Sequence, residues 1–370
     1  MRTFMILALF WPALVSSCDL VPVGPPSCLD LTSTSHISTD TQFGQYIEGS
    51  GTNRKGEMFA VNYGNDSTLF ALGQFHPQQR LFYADPVPNT HFNGIRFLND
   101  NTAYTVDVAN HRVLQLTVNE YPDGPTVVGS SVFCADPTML QPNDLTLSKL
   151  GTVFTSGMRW LQDTNDTHGD IWSCLQNGEV KRLEVMGRTN GIDLSPDDTK
   201  LYVSESYTRG GTPYVQKIWL YDANVTTGTI SGKRLFVDFE VLDGTQNVDI
   251  DGMKTDVAGN LWVTRHGGRE VVAFDSTGAV IARVRLTFPN PTNLEFGGPS
   301  GRTIYVVGKC DGANTGCTDT LEVVTPGRSW SNLQPSGSST LSKGVAYDRL
   351  SRDILWGMVF GKTLLNNVNN

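Results

Sequence analysis

Six oxygen-bearing side chains recur along this chain at a near-regular interval, each ahead of a short apolar run. They are Glu48, Asn93, Asn143, Asn190, Asp251 and Asn293, spaced by 45, 50, 47, 61 and 42 residues. Two carboxylates with several carboxamides suit a hard divalent cation. Ca²⁺ fits best, because it takes about 6–8 oxygen ligands and two carboxylates balance its charge. Glu48, Asn143, Asn190 and Asp251 are the expected metal ligands, with Asn93 and Asn293 completing the set on the substrate side. Such a cation polarises a carbonyl or phosphoryl oxygen and orients water. Attack on a lactone creates an oxyanion that it stabilises, with Asp251 or Asp144 as base or nucleophile. Zinc is not indicated: the six histidines are scattered and none forms a His-x-x-x-His pair. No Gly-x-Ser-x-Gly elbow is present, which argues against serine-hydrolase chemistry.

These oxygens can meet only if the chain returns six times to one axis. About ten residues after each leading position comes a strand phrase, such as Gly259-Asn260-Leu261-Trp262-Val263-Thr264, followed by a second one. The phrases are β-branched or aromatic and bounded by Gly, Asn and Asp. No stretch of helical period interrupts them. A strand-rich repeat of this length predicts an all-β fold, a six-bladed β-propeller, with the leading residues on the innermost strands. Ring closure is expected from residues 36–46 or from 353–359. Inserts at 160–169, 207–215 and 325–343 are expected as loops, the first two overhanging one mouth of the channel. Trp160, Tyr207, Tyr214 and Phe288 are the mouth aromatics expected to bind substrate. The competing reading is local: Asn or Asp before Gly is also an ordinary turn residue.

Residues 1–17 read as a secretory signal, with Arg2 ahead of an apolar stretch from Phe4 to Val15 and small residues before the cut. The mature chain, 18–370, is expected to be a single propeller domain carrying six cysteines. The expected pairs are Cys310–Cys317, Cys134–Cys174 and Cys18–Cys28. A lipoprotein signal ending at Cys18 is the rival. The sequons at Asn65, Asn165 and Asn224 favour a glycosylated, secreted protein. A net charge of −9 argues against nucleic acid. No polybasic or amphipathic segment recommends a membrane surface, and no heptad or long apolar face argues for an oligomer. The expected partner is a small-molecule substrate bound by a monomer.

The chain resembles the SMP-30/gluconolactonase-like family, which also takes in the diisopropyl-fluorophosphatase type of phosphotriesterase. The resemblance runs from about residue 45 to 310. It rests on Ile47-Glu48-Gly49, Phe92-Asn93-Gly94-Ile95-Arg96-Phe97, Gln141-Pro142-Asn143-Asp144, Arg188-Thr189-Asn190-Gly191-Ile192-Asp193, Asp251-Gly252-Met253-Lys254 and Pro291-Thr292-Asn293-Leu294. It implies a six-bladed propeller with a catalytic divalent metal, usually Ca²⁺. Its ligand glutamate falls on Glu48, its ligand asparagine on Asn190, and its aspartate, ligand and base, on Asp251. Asn143 falls near metal or substrate. Animal members carry an Arg two residues before that Asn to grip sugar-like substrates. Gln141 stands there instead, which puts an aldonolactone substrate in doubt.

A secreted, disulfide-bonded member resembles the fungal branch, which includes propellers recruited into natural-product pathways. Some of these are hetero-Diels–Alderases that join a tropolone-derived quinone methide to a terpene. Three functions therefore stand open. They are a metal-dependent lactone or ester hydrolase, a non-hydrolytic biosynthetic cyclase holding two reactants in near-attack geometry, and a secreted binding propeller without chemistry.

Overall fold

Strands that lie between two neighbouring sheets are buried on both faces, as several here are. Val153–Met158 and Gly169–Cys174 are buried along their whole length. The computed structural model describes residues 28–335, apart from 39, 65–70 and 245–246. Residues up to 333 belong to one unit; of the second unit only 334 and 335 are described. The signal at 1–17, Cys18, Asn65 and the closing candidate at 353–359 therefore lie outside the described residues.

The first unit is a six-bladed β-propeller. Its sheets run through residues 43–83, 92–135, 141–186, 192–238, 249–285 and 290–322. The first four are antiparallel meanders of four strands in chain order. The innermost strands are Phe43–Thr52, Phe92–Asn99, Gln141–Leu147, Ile192–Leu194, Asp249–Thr255 and Asn290–Gly297, and each contacts the next in a closed cycle. Closure comes from the N-terminal side. Thr34–Ile37 pairs antiparallel with Gly316–Glu322 as the outermost strand of the sixth blade, and the chain then enters the first blade. Leu29–Thr32 adds a fifth, parallel strand to the fifth blade, beside Val280–Arg285. The expected closing segment, 36–46, thus overlaps two blades instead of forming one strand.

Burial follows the seams. The described residues form six apolar clusters, one between each pair of adjacent blades. The closing seam is one of them: Ile37, Tyr305 and Val307 pack there on Phe43, Ile47 and Phe75. The Cys134–Cys174 disulfide ties the second blade to the third across 40 residues, a constraint worth about 4 kcal/mol on loop entropy. Cys310–Cys317 closes a short hairpin. Cys28 is also disulfide-bonded.

Three expectations need correction. The insert at 207–215 is an extension of a hairpin, since Tyr207 pairs with Val215 and Arg209 with Thr212. Phe288 is not a mouth aromatic; it is buried in the cluster between the fifth and sixth blades, where its neighbours are apolar. The insert at 325–343 contains a short helix, Arg328–Asn332. Arg328 is buried and pairs with Asp193 at 2.8 Å and Asp198 at 3.2 Å. Asn165, in a loop, and Asn224, at the end of a strand, are both exposed, each with its side-chain oxygen accepting a backbone N–H two residues on.

Candidate functional site

Each inner strand bulges at its leading residue. The pairing ladders slip around Glu48, Asn93, Asn143-Asp144, Asp251-Gly252 and Asn293. The Arg188–Ser206 bridge is likewise out of step with the Ile192–Val203 pair that follows Asn190. A bulge frees a residue from the ladder and re-aims its side chain. The glycine after the leading residue explains how the strands come so close. A Cβ on Gly49 would lie 2.0 Å from the Asn93 carbonyl oxygen, and one on Gly252 would lie 2.4 Å from the Asn293 side chain. Neither glycine has left-handed backbone. Gly94 and Gly191 are likewise placed for close approach, where a Cβ would lie 2.9 Å from the Leu145 side chain and 2.4 Å from the Asp251 carbonyl oxygen. Asn93, Asn190 and Asp251 have no left-handed backbone, so the turn reading of these Asn-Gly and Asp-Gly pairs does not hold.

At the hub the structure brings together Glu48, Asn190 and Asp251. The Asn190 side chain hydrogen-bonds Asp251, and Glu48 acts on Asp251 by charge repulsion. Burial and the Asp144 charge push the Glu48 carboxyl up from 4.5 to about 8. Burial, Glu48 and Asp249 push Asp251 well above the carboxylate range, against the opposing pull of Arg188. Asn190 Oδ1 is buried and has no hydrogen-bond partner among the described residues. Two crowded carboxylates beside an orphaned carbonyl oxygen are what a hard divalent cation would satisfy. The donors therefore fit calcium. No group of three or more His, Cys, Asp and Glu with metal-binding geometry occurs among the described residues; this set depends on carboxamides. Asn143 is buried beside it, and its backbone carbonyl accepts from Asn93 Nδ2 at 3.3 Å.

Two expected site residues are turned elsewhere. Asp144 is fully buried and held by Arg96 at 2.9 Å and Lys254 at 3.2 Å. The Asn293 amide donates to Asp144 Oδ2 and accepts from Lys254 Nζ, both at 3.1 Å. Asp144 is thus an anchored ion, not a free base, and Asn293 serves the same network and not the substrate. Removing one partner of such a buried pair leaves an uncompensated charge. The sequence did carry the signal for this layer. Arg96, Asp193 and Lys254 each stand three residues after a leading position, while the other three such positions are Gly51, Thr146 and Phe296, so the repeat supplies three of the charges in this layer.

The mouth holds the remaining residues. Gln141 Oε1 accepts from the Trp160 backbone N–H at 3.3 Å. The Tyr207 hydroxyl donates to Glu205 Oε1 at 3.2 Å, and its ring stands 6.2 Å from Tyr214. His266 went unnoticed in the sequence because it ends a second strand and carries no repeat. Its Nδ1 lies 3.7 Å from Asp251 Oδ2, and its ring stacks 6.2 Å from Tyr46. Burial keeps it below the usual histidine range. A cleft of about 680 Å³ opens beside Gln141 and Trp160, between the second and third blades.

Comparison with known proteins agrees with the fold. The family model described as SMP-30/Gluconolactonase/LRE-like region matches residues 87–309, more than half of the chain. A regucalcin of Xenopus laevis is 32% identical over 134 residues, 36% of this chain and 41% of that protein. A pentonolactonase of Haloferax volcanii is 27% identical over 165 residues, covering 44% and 52%. A gluconolactonase of Zymomonas mobilis is 28% identical over 244 residues, covering 60% and 64%. The chain thus spans about half the length of these curated relatives. Among solved structures, a calcium-binding regucalcin from Agrobacterium tumefaciens superposes with a TM-score of 0.65 at 19% identity, over 84% of this chain and 99% of that one. A luciferin-regenerating enzyme superposes with a TM-score of 0.63 at 17% identity, over 80% and 97%. At such identities these two speak for the fold. On the family match and the shared propeller together, this chain belongs to the SMP-30/gluconolactonase/LRE-like family.

Proposed function

We propose that this protein is a calcium-dependent lactone or ester hydrolase acting on a small molecule. One observation carries the reading: at the hub, two carboxylates crowded enough to hold protons meet a buried, unpartnered carboxamide oxygen. Glu48, Asn190 and Asp251 would hold the metal, with Asn143 beside them. The bound cation would supply Lewis-acid polarisation of the lactone carbonyl. Asp251, a buried carboxylate held by Asn190, takes the proton from the attacking water. Asn190 orients the Asp251 carboxylate through its hydrogen bond. The ion layer of Asp144, Arg96 and Lys254 fixes the floor of the site.

The same proposal extends to the setting. Export, with glycans at Asn65, Asn165 and Asn224, is supported by the apolar leader and the disulfides. A place in secondary metabolism rests on likeness to secreted fungal members. A second reading, a cyclase of the hetero-Diels–Alderase kind, would use the cleft beside the mouth, whose walls mix Met139, Leu140, Trp160 and Leu161 with Arg159, Asp170 and Arg182. The deciding experiment is a panel of γ- and δ-lactones incubated with purified protein, with and without EDTA. Hydrolysis of at least one member, suppressed by EDTA and restored by calcium, is the expected result. Turnover indifferent to EDTA would reject the metal-dependent reading.

A further inference from the structure

Two residues before each leading position stands another set: Tyr46, His91, Gln141, Arg188, Asp249 and Pro291. Gln141 and Asp249 are the first residues of their inner strands, and Arg188 bridges Ser206 just ahead of Asn190, so this set stands at the entry to the inner strands. Gln141 and Asp249 are more exposed than the leading residues that follow them, whereas Arg188 is as buried as Asn190. Its one permanent cation is Arg188. At the equivalent place in the third blade Gln141 is neutral, and its carbonyl is already engaged by Trp160.

Arg188 is only 5% exposed. Nη2 donates to Asp249 Oδ2, and Asp249 Oδ1 accepts from the Ser206 hydroxyl at 2.7 Å. The carboxylate thereby fixes the guanidinium in one orientation. The Trp160 ring covers it at 5.2 Å, while that indole is itself 60% exposed and lines the neighbouring cleft. Nε is buried without a hydrogen-bond partner among the described residues. A held guanidinium under an exposed aromatic plate, with donor capacity to spare, is a receptor for an acidic oxygen on a flat apolar body.

We propose that Arg188 and Trp160 form an anion subsite at the mouth, and that the substrate is a largely apolar, planar lactone or ester bearing a carboxylate or similar acidic oxygen near the reacting carbonyl. This rests on the hub being the reaction site.

The test is equilibrium binding, followed by fluorescence in calcium-containing buffer. The probes are coumarin-3-carboxylate and the neutral coumarin of the same ring. The wild-type protein should bind the carboxylate about 10-fold or more tighter, as a charged hydrogen bond allows. Arg188→Gln should bring the two probes within about twofold of each other. Trp160→Ala, at an exposed position, should weaken both. If Arg188→Gln fails to fold, Arg188→Lys keeps the cation and should keep a reduced preference. Equal binding of both probes by the wild type, or an unchanged preference in a folded Arg188→Gln protein, would overturn the proposal. So would the absence of any preference in a folded Arg188→Lys protein. Lactones left intact by a protein that still prefers the carboxylate would reject the hydrolase reading alone.

Discussion

Asp251→Asn is expected to lower kcat for lactone hydrolysis by about 10³-fold or more while leaving the protein folded. The size follows from two losses at one atom: a general base, worth roughly 10²–10⁴, and one of the two carboxylates that balance a divalent charge. The substitution keeps the shape of the side chain. It also removes a carboxylate that burial, Glu48 and Asp249 all push toward protonation. With EDTA present the variant should therefore melt no lower than the wild type. Steady-state kinetics beside calorimetric melting separates the two effects. Hydrolysis at the wild-type rate would remove Asp251 from the chemistry. A large drop in melting temperature would instead assign it to the framework.

The second large effect is a pH dependence of stability that calcium reverses. In the metal-free protein Glu48 is raised to about 8 and Asp251 is raised well above 3.8. The folded state therefore holds protons that the unfolded chain has released. A carboxyl raised in this way contributes stability that is present below its unfolded value and lost as pH rises through its folded value. His36, His76 and His266 are lowered by burial and act in the opposite sense below about 6.5. In the window from about 6.5 to 8 the histidines drop out; the raised Asp170, Asp256 and Glu295 act in the same sense as the hub carboxyls there, and the lowered Lys254 opposes them. Asp193, lowered to about 2 with Arg328 as a main cause, titrates far outside it. Across that window the melting temperature in EDTA should fall by on the order of a few degrees. Saturating calcium, which binds the deprotonated oxygens, should lift it most at the alkaline end. A melting temperature that does not change with pH in EDTA, in a protein that also ignores calcium, would mean that the two carboxyls are not crowded together.

The repeat made the fold legible. A leading oxygen, an apolar run and two strand phrases recur six times, and the second and third strands of the blades follow from β-branched and aromatic runs. The strand Leu261–His266 contains the Leu261-Trp262-Val263-Thr264 phrase read from the sequence. The outermost strands were not legible. Gly124–Ala135 and Thr229–Asp238 face solvent along much of their length, so they carry no apolar signature. The hub ligands could be read because they head the repeat. The roles of Asp144 and Asn293 could not, because their direction depends on Lys254 and Arg96 arriving from other blades. Phe288 shows the same limit: an aromatic residue near a loop looks like a mouth residue until the neighbouring blade covers it. His266 lies off the repeat and reaches Asp251 only through the pairing of its strand with Asp249.

The account stands on a shared cation at the hub, and calcium titration of the purified protein by isothermal calorimetry at about pH 8 tests it most directly. The predicted result is about one calcium ion per chain, bound at least about 10-fold more weakly by Glu48→Gln, since that change halves the ligand charge. Absence of calcium binding in the wild type, or an affinity that Glu48→Gln leaves unchanged, would contradict it.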